Sequence, residues 1–113
     1  MKKEVIALYD YIGVSPKYLG YKYLVDETIM YANSIKKNKE ECICNITVSV
    51  ADKYNTNSMC VDRNTRTIIE GTFNKGNLLH INDVFESVST YYDDRPSVKL
   101  FLSTVVNYLI NKK

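Results

Sequence analysis

Apolar residues recur at three- and four-residue spacing through most of the chain, and this spacing limits the fold more than any other feature. The segment "RPSVKLFLSTVVNYL" shows it most clearly, because its apolar side chains fall on one face of a helix. A chain of 113 residues, 45% of them hydrophobic, suits one domain with a single core. The sequence therefore predicts an all-α domain of about six helices over residues 1–113. The stripe of this last helix consists of Val98, Phe101, Leu102, Val105, Val106, Leu109 and Ile110.

One segment has a competing pattern. Residues 45–54 contain "NITVSV", which is β-branched and alternating and therefore favours a strand. However, Ile46, Val50, Ala51 and Tyr54 also form one stripe of a helix. No other segment of similar strand quality exists, and a lone strand cannot pair its backbone N–H and C=O groups. The segment is therefore predicted to be helical.

Capping residues predict several helix boundaries. A first helix of about residues 3–11 ends near Gly13, a residue that readily adopts the left-handed conformation. Ser15-Pro16 is expected to begin the second helix as its N-cap and first residue. Gly20, inside that helix, is expected to permit close packing against a neighbouring helix. Gly76 is predicted to end a helix of about residues 58–75.

The remaining boundaries lie in the last third of the chain. Four apolar residues at helical spacing predict a short helix, and these are Ile81, Val84, Phe85 and Val88. "YYDD" is expected to be a turn, and Arg95-Pro96 is expected to begin the last helix.

Composition excludes several classes of protein. The net charge of +2 is too small for indiscriminate coating of nucleic acid, so any such contact must be local. Cys42-x-Cys44 and Cys60 match no zinc spacing, and the single His80 cannot complete a metal site. No cofactor is predicted. The cysteines are interpreted as reduced packing residues of a cytoplasmic protein, with a redox switch through Cys60 as the weaker alternative.

Membrane insertion and catalysis are not predicted either. The N-terminus lacks the apolar core of a signal peptide, and no apolar stretch approaches the roughly 20 residues of a membrane helix. His80 has no nucleophile or acid at a diagnostic spacing, and the chain has no glycine-rich phosphate loop. We therefore do not expect an enzyme.

The helix of residues 58–75 has two unlike faces. Its apolar arc is expected to face the core and consists of Val61, Thr65, Ile68, Ile69 and Thr72. Ala51 and Asn55 in front of this helix, together with Val61 near its start, have the spacing of a helix-turn-helix. In that motif Ala51 would be the small residue at the helix contact, Asn55 the residue tolerant of left-handed geometry, and Val61 the branched residue that anchors the second helix. Asp62, Arg63 and Arg66 lie on the opposite face.

In a helix-turn-helix, the second helix enters the major groove of DNA. Arg63 and Arg66 can there pair with the O6 and N7 atoms of guanine, and Asp62 can accept from a cytosine amino group or hold an arginine. The alternative is a solvated face with an Asp62–Arg66 ion pair. Contacts to the DNA backbone, or support of the base contacts, are predicted for Lys53, Thr56, Ser58, Met59, Thr67 and Lys75.

The chain resembles the C-terminal, DNA-binding effector domain of the master response regulator that initiates sporulation in endospore-forming bacteria. The resemblance lies in "IGVSPKYLGYKYL", "ADKYNTNSMCVDRNTRTIIE", "KGN" and "RPSVKLFLSTVVNYL", and it covers nearly the whole chain. It implies an all-α fold of six helices around a helix-turn-helix. It also implies base contacts from an acid and two arginines, at Asp62, Arg63 and Arg66.

Three residues depart from the family pattern. Asp62 stands where the family has glutamate, Cys60 replaces a basic residue of the recognition helix, and Thr67 replaces a histidine. The loss of positive charge implies weaker attraction to phosphates and a flatter salt dependence. Met1 also begins almost directly at the effector domain, so no receiver domain is expected in front of it.

Three functions remain open from the sequence. The first is a small transcription regulator that binds specific double-stranded DNA, with weak pairing to a second copy or to a related regulator. The second is a protein-interaction module, or antagonist, that binds a partner regulator or RNA polymerase with little DNA affinity. The third is an accessory DNA-binding factor of a mobile element that directs a recombinase. No membrane partner is expected.

Overall fold

The computed structural model describes residues 2–85 and 97–111, and all of their regular structure is helical. Within these ranges there is no strand, and residues 45–53 lie in the third helix, so the prediction of an all-α fold is confirmed. None of the helices described is long and apolar enough to span a membrane. The helices are α1 (Lys2–Ile12), α2 (Gly20–Lys36), α3 (Ile43–Lys53), α4 (Ser58–Lys75), α5 (Leu78–Phe85) and α6 (Val98–Asn111).

Helix α2 lies at the centre and packs against α1, α3, α4 and α6. The larger part of the core gathers side chains from α1, α2, α4, α5 and α6, with Tyr9 and Phe101 fully buried in it. A smaller cluster of Tyr23, Val50, Ala51 and Val61 lies where α3 meets α4. In α6, the predicted stripe is buried from Val98 to Val106, and Leu109 and Ile110 are partly buried.

Three helices end in the same way. A residue just past each end has a positive φ: 89° at Gly13, directly after α1, and 57° at Asn38 and 59° at Asn55, two residues after α2 and α3. After α1, the N–H of Val14 donates to the C=O of Tyr9 at 2.8 Å and the N–H of Gly13 donates to the C=O of Asp10 at 3.2 Å, the two hydrogen bonds of a Schellman motif. The left-handed conformation was predicted at Gly13 and expected at Asn55.

The predicted start of α2 is wrong. Ser15-Pro16 begins a turn instead of the helix, with the N–H of Tyr18 donating to the C=O of Ser15 at 3.5 Å. The helix starts at Gly20, and its cap residue Leu19 makes no side-chain hydrogen bond. This turn places the hydroxyl of Tyr18 beside Gly71 of α4. That contact joins distant segments, so local capping preferences do not contain it.

The two glycines at positions 20 and 76 are required for space. A Cβ on Gly20 would collide with the backbone oxygen of Asn64 in α4, which confirms the predicted close packing. Gly76 follows α4 as predicted but has a φ of −78°, so it is not left-handed. A Cβ there would lie 2.6 Å from the backbone oxygen of Ile12. The predictions for Val88, "YYDD" and Arg95-Pro96 fall outside the described residues.

Candidate nucleic-acid interface

Helices α3 and α4 are joined by a tight turn with the features of a helix-turn-helix. Ala51 and Val61 are buried at their contact, and Asn55 between them is left-handed. The N–H of Thr56 donates to the C=O of Ala51 at 2.9 Å, which closes the end of α3. The three residues chosen from their spacing therefore have the burial and the backbone geometry that the motif requires.

The first turn of α4 is held by a residue that was not predicted from the sequence. Asn57 is the N-cap, and its side-chain oxygen accepts the N–H of Cys60 at 2.8 Å. Asparagine directly before the helix was the available signal. Ser58 and Met59 follow on the exposed side, and 72% of Met59 is accessible.

The inner side of α4 is as predicted. Val61 and Ile68 are fully buried and Ile69 is nearly so. Thr65 is also fully buried, and its hydroxyl donates to the carboxyl group of Glu27 in α2 at 2.8 Å. This side of the helix therefore fixes the rotation of α4 about its axis.

The outer side presents the predicted acid and two arginines. Arg63 and Arg66 are exposed one turn apart. The Nε of Arg66 lies 2.8 Å from Oδ2 of Asp62, and both side chains remain accessible, 64% for Arg66 and 44% for Asp62. Because this ion pair uses Nε, it leaves the N–H groups of the terminal guanidinium nitrogens for other acceptors. The pair thus restricts the orientation of Arg66.

The predicted supporting residues divide into two groups. Ser58, Met59 and Thr67 are exposed near the arginines, and Thr67 donates its hydroxyl to the C=O of Arg63 at 2.9 Å. Thr56 is partly buried in the turn. Lys75 is exposed but lies about 18 Å beyond Arg63 along the helix axis, at roughly 1.5 Å per residue.

Lys53 lies in an electrostatic cluster between α2 and α3. Its Nζ is 3.0 Å from Oδ2 of Asp26, and the hydroxyl of Tyr54 donates to the same oxygen at 2.5 Å. This hydrogen bond, together with burial, raises the pKa of Tyr54 to about 12. The Nζ of Lys22 lies 4.7 Å from the centre of the Tyr54 ring, a cation–π distance. The cluster places two cations beside the turn, and Lys22 and Asp26 were not predicted from the sequence.

A buried acid lies beneath the helix-turn-helix. Glu27 is 1% exposed, and its carboxyl group contacts Thr65 of α4 and the hydroxyl of Thr47 of α3 at 3.3 Å. Burial raises the pKa of Glu27 to about 7; the two threonine hydroxyls lower it, and the charge of Asp62 raises it further. The hydroxyl of Thr47 also lies 2.9 Å from the C=O of Ile43 and has one proton for two acceptors. A protonated Glu27 resolves this conflict by donating to Thr47.

The cysteines only partly follow the prediction. Cys42 and Cys44 are exposed, so their interpretation as packing residues is wrong. The reason is helical phase, since Ile43 and Ile46 are the residues of this segment that turn inward. Cys60 is partly buried, 3.5 Å from the side-chain nitrogen of Asn64. In the described part of the chain, no group of three or more His, Cys, Asp or Glu residues can hold a metal ion.

The comparison with protein families agrees with this geometry. A family model described as "Sporulation initiation factor Spo0A C terminal" matches residues 5–109, nearly the whole chain. The family is a DNA-binding effector domain of a sporulation response regulator and not a family of enzymes. Because the match extends from α1 to α6, it includes the helix-turn-helix and the core that supports it. The chain therefore belongs to the family of the Spo0A C-terminal domain.

Proposed function

We propose that this protein is a small transcription regulator that binds specific double-stranded DNA and reads the major groove with α4. The observation that carries the proposal is the outer face of α4, where Arg63 and Arg66 are exposed beside Asp62. Membership of a DNA-binding family supports DNA as the ligand. The choice of helix follows from the turn at Asn55, because the second helix of such a motif enters the groove.

Two arginines one turn apart suit guanine bases near each other in the groove. Each guanidinium can donate two hydrogen bonds to the O6 and N7 atoms of a guanine. Asp62 already accepts from Nε of Arg66, so we assign it an orienting role toward this arginine. This arrangement restricts the side chain before DNA arrives and lowers the entropy that binding would otherwise cost.

The phosphate contacts are proposed for the start of α4 and the end of α3. Ser58 and the N–H groups of the first turn of α4 can donate to phosphate oxygens. Lys53 supplies a cation, which must exchange its contact with Asp26 for a phosphate. With a net charge of +2, the chain should release few counterions, and its affinity should depend only moderately on salt.

A fluorescence polarisation titration tests the proposal. The protein is titrated onto a duplex of the sporulation-regulator type and onto a random duplex, at two salt concentrations. Arg63→Ala and Arg66→Ala should each lose about 1–3 kcal/mol on the specific duplex and little on the random one. Lys53→Ala should weaken both duplexes equally and reduce the salt slope by about one.

Lys99→Ala is the matched control. It removes the same charge from an exposed position in α6, outside the helix-turn-helix, so its effect should be small and equal on both duplexes. A uniform loss for Arg63→Ala, like that of Lys53→Ala, would rule out direct readout by α4. Binding that none of the variants changes would mean that the outer face recognises a protein. Pairing with a second copy, a related regulator, RNA polymerase or a recombinase stays a prediction.

A further inference from the structure

A polar cleft opens between α2, α6 and the connection from α2 to α3. Its volume is about 550 Å³, and the described residues that line it include none from α3 or α4. Small-molecule sites in proteins have volumes of roughly 300–1,000 Å³. The cleft is therefore large enough for a small ligand and is separate from the proposed DNA-reading face.

One wall of the cleft is a polar stripe of α6. Lys99, Ser103 and Asn107 follow one another at intervals of four residues, so they lie on one face of the helix. The stripe is about 12 Å long, at roughly 1.5 Å per residue. Among the residues that the structure describes, Lys99 makes no ion pair and the side-chain amide of Asn107 makes no hydrogen bond. This wall therefore offers a cation at one end and an amide at the other.

The facing wall holds a carboxylate in place. Tyr31 of α2 is 2% exposed, and its hydroxyl donates to Oε2 of Glu40 at 2.7 Å. Burial, together with this hydrogen bond, raises the pKa of Tyr31 to about 12, so the hydroxyl keeps its proton and remains a donor. The contact occupies one oxygen of Glu40 and leaves Oε1 for another donor. A buried phenol thus orients an exposed carboxylate at the cleft.

The backbone on both sides of Glu40 is tied to the end of α2. The N–H of Lys39 donates to the C=O of Ser34 at 2.9 Å. The N–H of Glu41 donates to the hydroxyl of the same serine at 3.1 Å. The carboxylate therefore stands on a segment that is already ordered, and a preformed site loses less entropy when a ligand binds.

We propose that this cleft binds a small zwitterion, an amino acid or a short peptide, between Lys99 and Glu40. The carboxylate of the ligand pairs with the ammonium group of Lys99, and its amine donates to Oε1 of Glu40. Hydrogen bonds between charged groups are stronger than those between neutral ones. Asn107 lies on the Lys99 wall, where its amide can bond to a peptide group. The site is independent of DNA binding.

The opposite charges of the two walls account for the choice of ligand. A simple anion attracted by Lys99 also meets the like charge of Glu40, and a simple cation attracted by Glu40 meets that of Lys99. A molecule with an amine at one end and a carboxylate at the other matches both walls. The cleft should therefore select molecules that carry both charges.

The test follows the backbone amide NMR signals of the full chain during titration with L-alanine and with L-alanyl-L-alanine. We expect saturable shifts at residues 38–40 and 99–107. The tighter of the two ligands identifies the source as a free amino acid or a peptide. The N-acetylated dipeptide and the dipeptide amide each lack one charge and should bind at least about threefold more weakly.

Two substitutions should give a crossed pattern. Lys99→Ala should weaken binding of the dipeptide at least about threefold and abolish the preference over the dipeptide amide. Glu40→Gln keeps an acceptor for Tyr31 and should abolish the preference over the N-acetylated dipeptide. Lys39→Ala is the matched control, because Lys39 is exposed beside Glu40 and does not line the cleft. It should bind like the wild type.

Three results would overturn the proposal. The first is the lack of saturable shifts with either zwitterion, and the second is shifts that map to another surface. The third is equal binding of the free and blocked dipeptides, or an equal effect of Lys39→Ala and Lys99→Ala. The amide spectrum of each variant without ligand establishes that its fold is intact.

Discussion

The two sides of α4 solve different physical problems within one helix. On the inner side, Ile68 and Ile69 are buried and Thr65 donates to Glu27, an acid with 1% exposure. On the outer side, Asp62 accepts from Arg66 while both side chains remain in water. Burial makes the inner contacts decisive for stability, whereas solvent screens the outer ones. The outer side can therefore change its residues at little cost to the fold.

The largest expected effect is on the inner side. Ile69→Ala should lower the free energy of unfolding by about 2–5 kcal/mol, because it leaves a cavity in the core. Urea denaturation measures the change. Thr67→Ala, two residues earlier and exposed, is the control and should stay within about 0.5 kcal/mol. Equal effects of the two substitutions would mean that the rotation of α4 is wrong.

The buried acid should make stability depend on pH. The pKa of Glu27 is raised to about 7 from 4.5, so the folded protein binds a proton that the unfolded chain has released between these values. The free energy of unfolding should therefore fall by roughly 3 kcal/mol because of this group as the pH rises from 4.5 to 7. Above pH 7 it should change little. Glu27→Gln keeps the hydrogen bonds without the charge. It should remove this slope and be more stable than the wild type at pH 8.

Chemical denaturation at a series of pH values provides this measurement. Asp62→Asn serves as the comparison, since it removes an acid from the same helix junction but from the solvent side. Persistence of the full pH slope in Glu27→Gln would mean that other groups cause it, and that Glu27 is ionised in the folded protein.

Next in size is the effect of one methyl group at the contact of α2 with α4. Gly20→Ala places a Cβ against the backbone of Asn64 and should cost about 1–3 kcal/mol. Gly71→Ala adds the same group to α4, where the nearest atom is the hydroxyl of Tyr18 at 3.4 Å. It should be neutral or stabilise by up to about 1 kcal/mol, since glycine is unfavourable inside a helix. Thermal unfolding of both variants distinguishes a tight helix contact from a general intolerance of alanine.

The smallest expected change in stability is on the outer side. Asp62→Asn removes an exposed ion pair of α4 and should cost only about 0.3–0.5 kcal/mol. Its effect on DNA should be larger than its effect on folding, because Arg66 loses the group that orients it. Denaturation and polarisation titrations of one preparation make the comparison. If Asp62→Asn caused a large loss of stability without a change in DNA specificity, Asp62 would serve the fold and not DNA recognition.

Local patterns predicted what local physics determines. The helical spacing of Val61, Ile68 and Ile69 was enough to orient α4, and asparagine at position 55 was enough to place the turn. The start of α2 escaped prediction, and in the turn found there Tyr18 lies beside Gly71 of α4, a neighbour that is distant in the sequence. The orientation of α4 and the position of the turn could be predicted without knowing what the protein binds.

The buried acid was missed for a similar reason. Glu27 follows Asp26 in the sequence, and two adjacent acids indicate a solvent-exposed face of a helix. Its threonine partners lie 20 and 38 residues further along the chain, so only the packing of three helices brings them together. The DNA contacts of Arg63 and Arg66 remain predictions, because exposure shows that they are available and not what they bind.

The contact between Gly13 and Gly76 has a consequence for the rates of folding. Each glycine lies where a Cβ would strike backbone of the other segment, so the end of α1 and the end of α4 meet without side chains between them. Such a contact joins distant parts of the chain, and loop closure delays contacts of this kind. We expect it to form after the transition state. Gly76→Ala should then accelerate unfolding and leave the refolding rate almost unchanged, so that the native half-life shortens while the route to the fold stays the same.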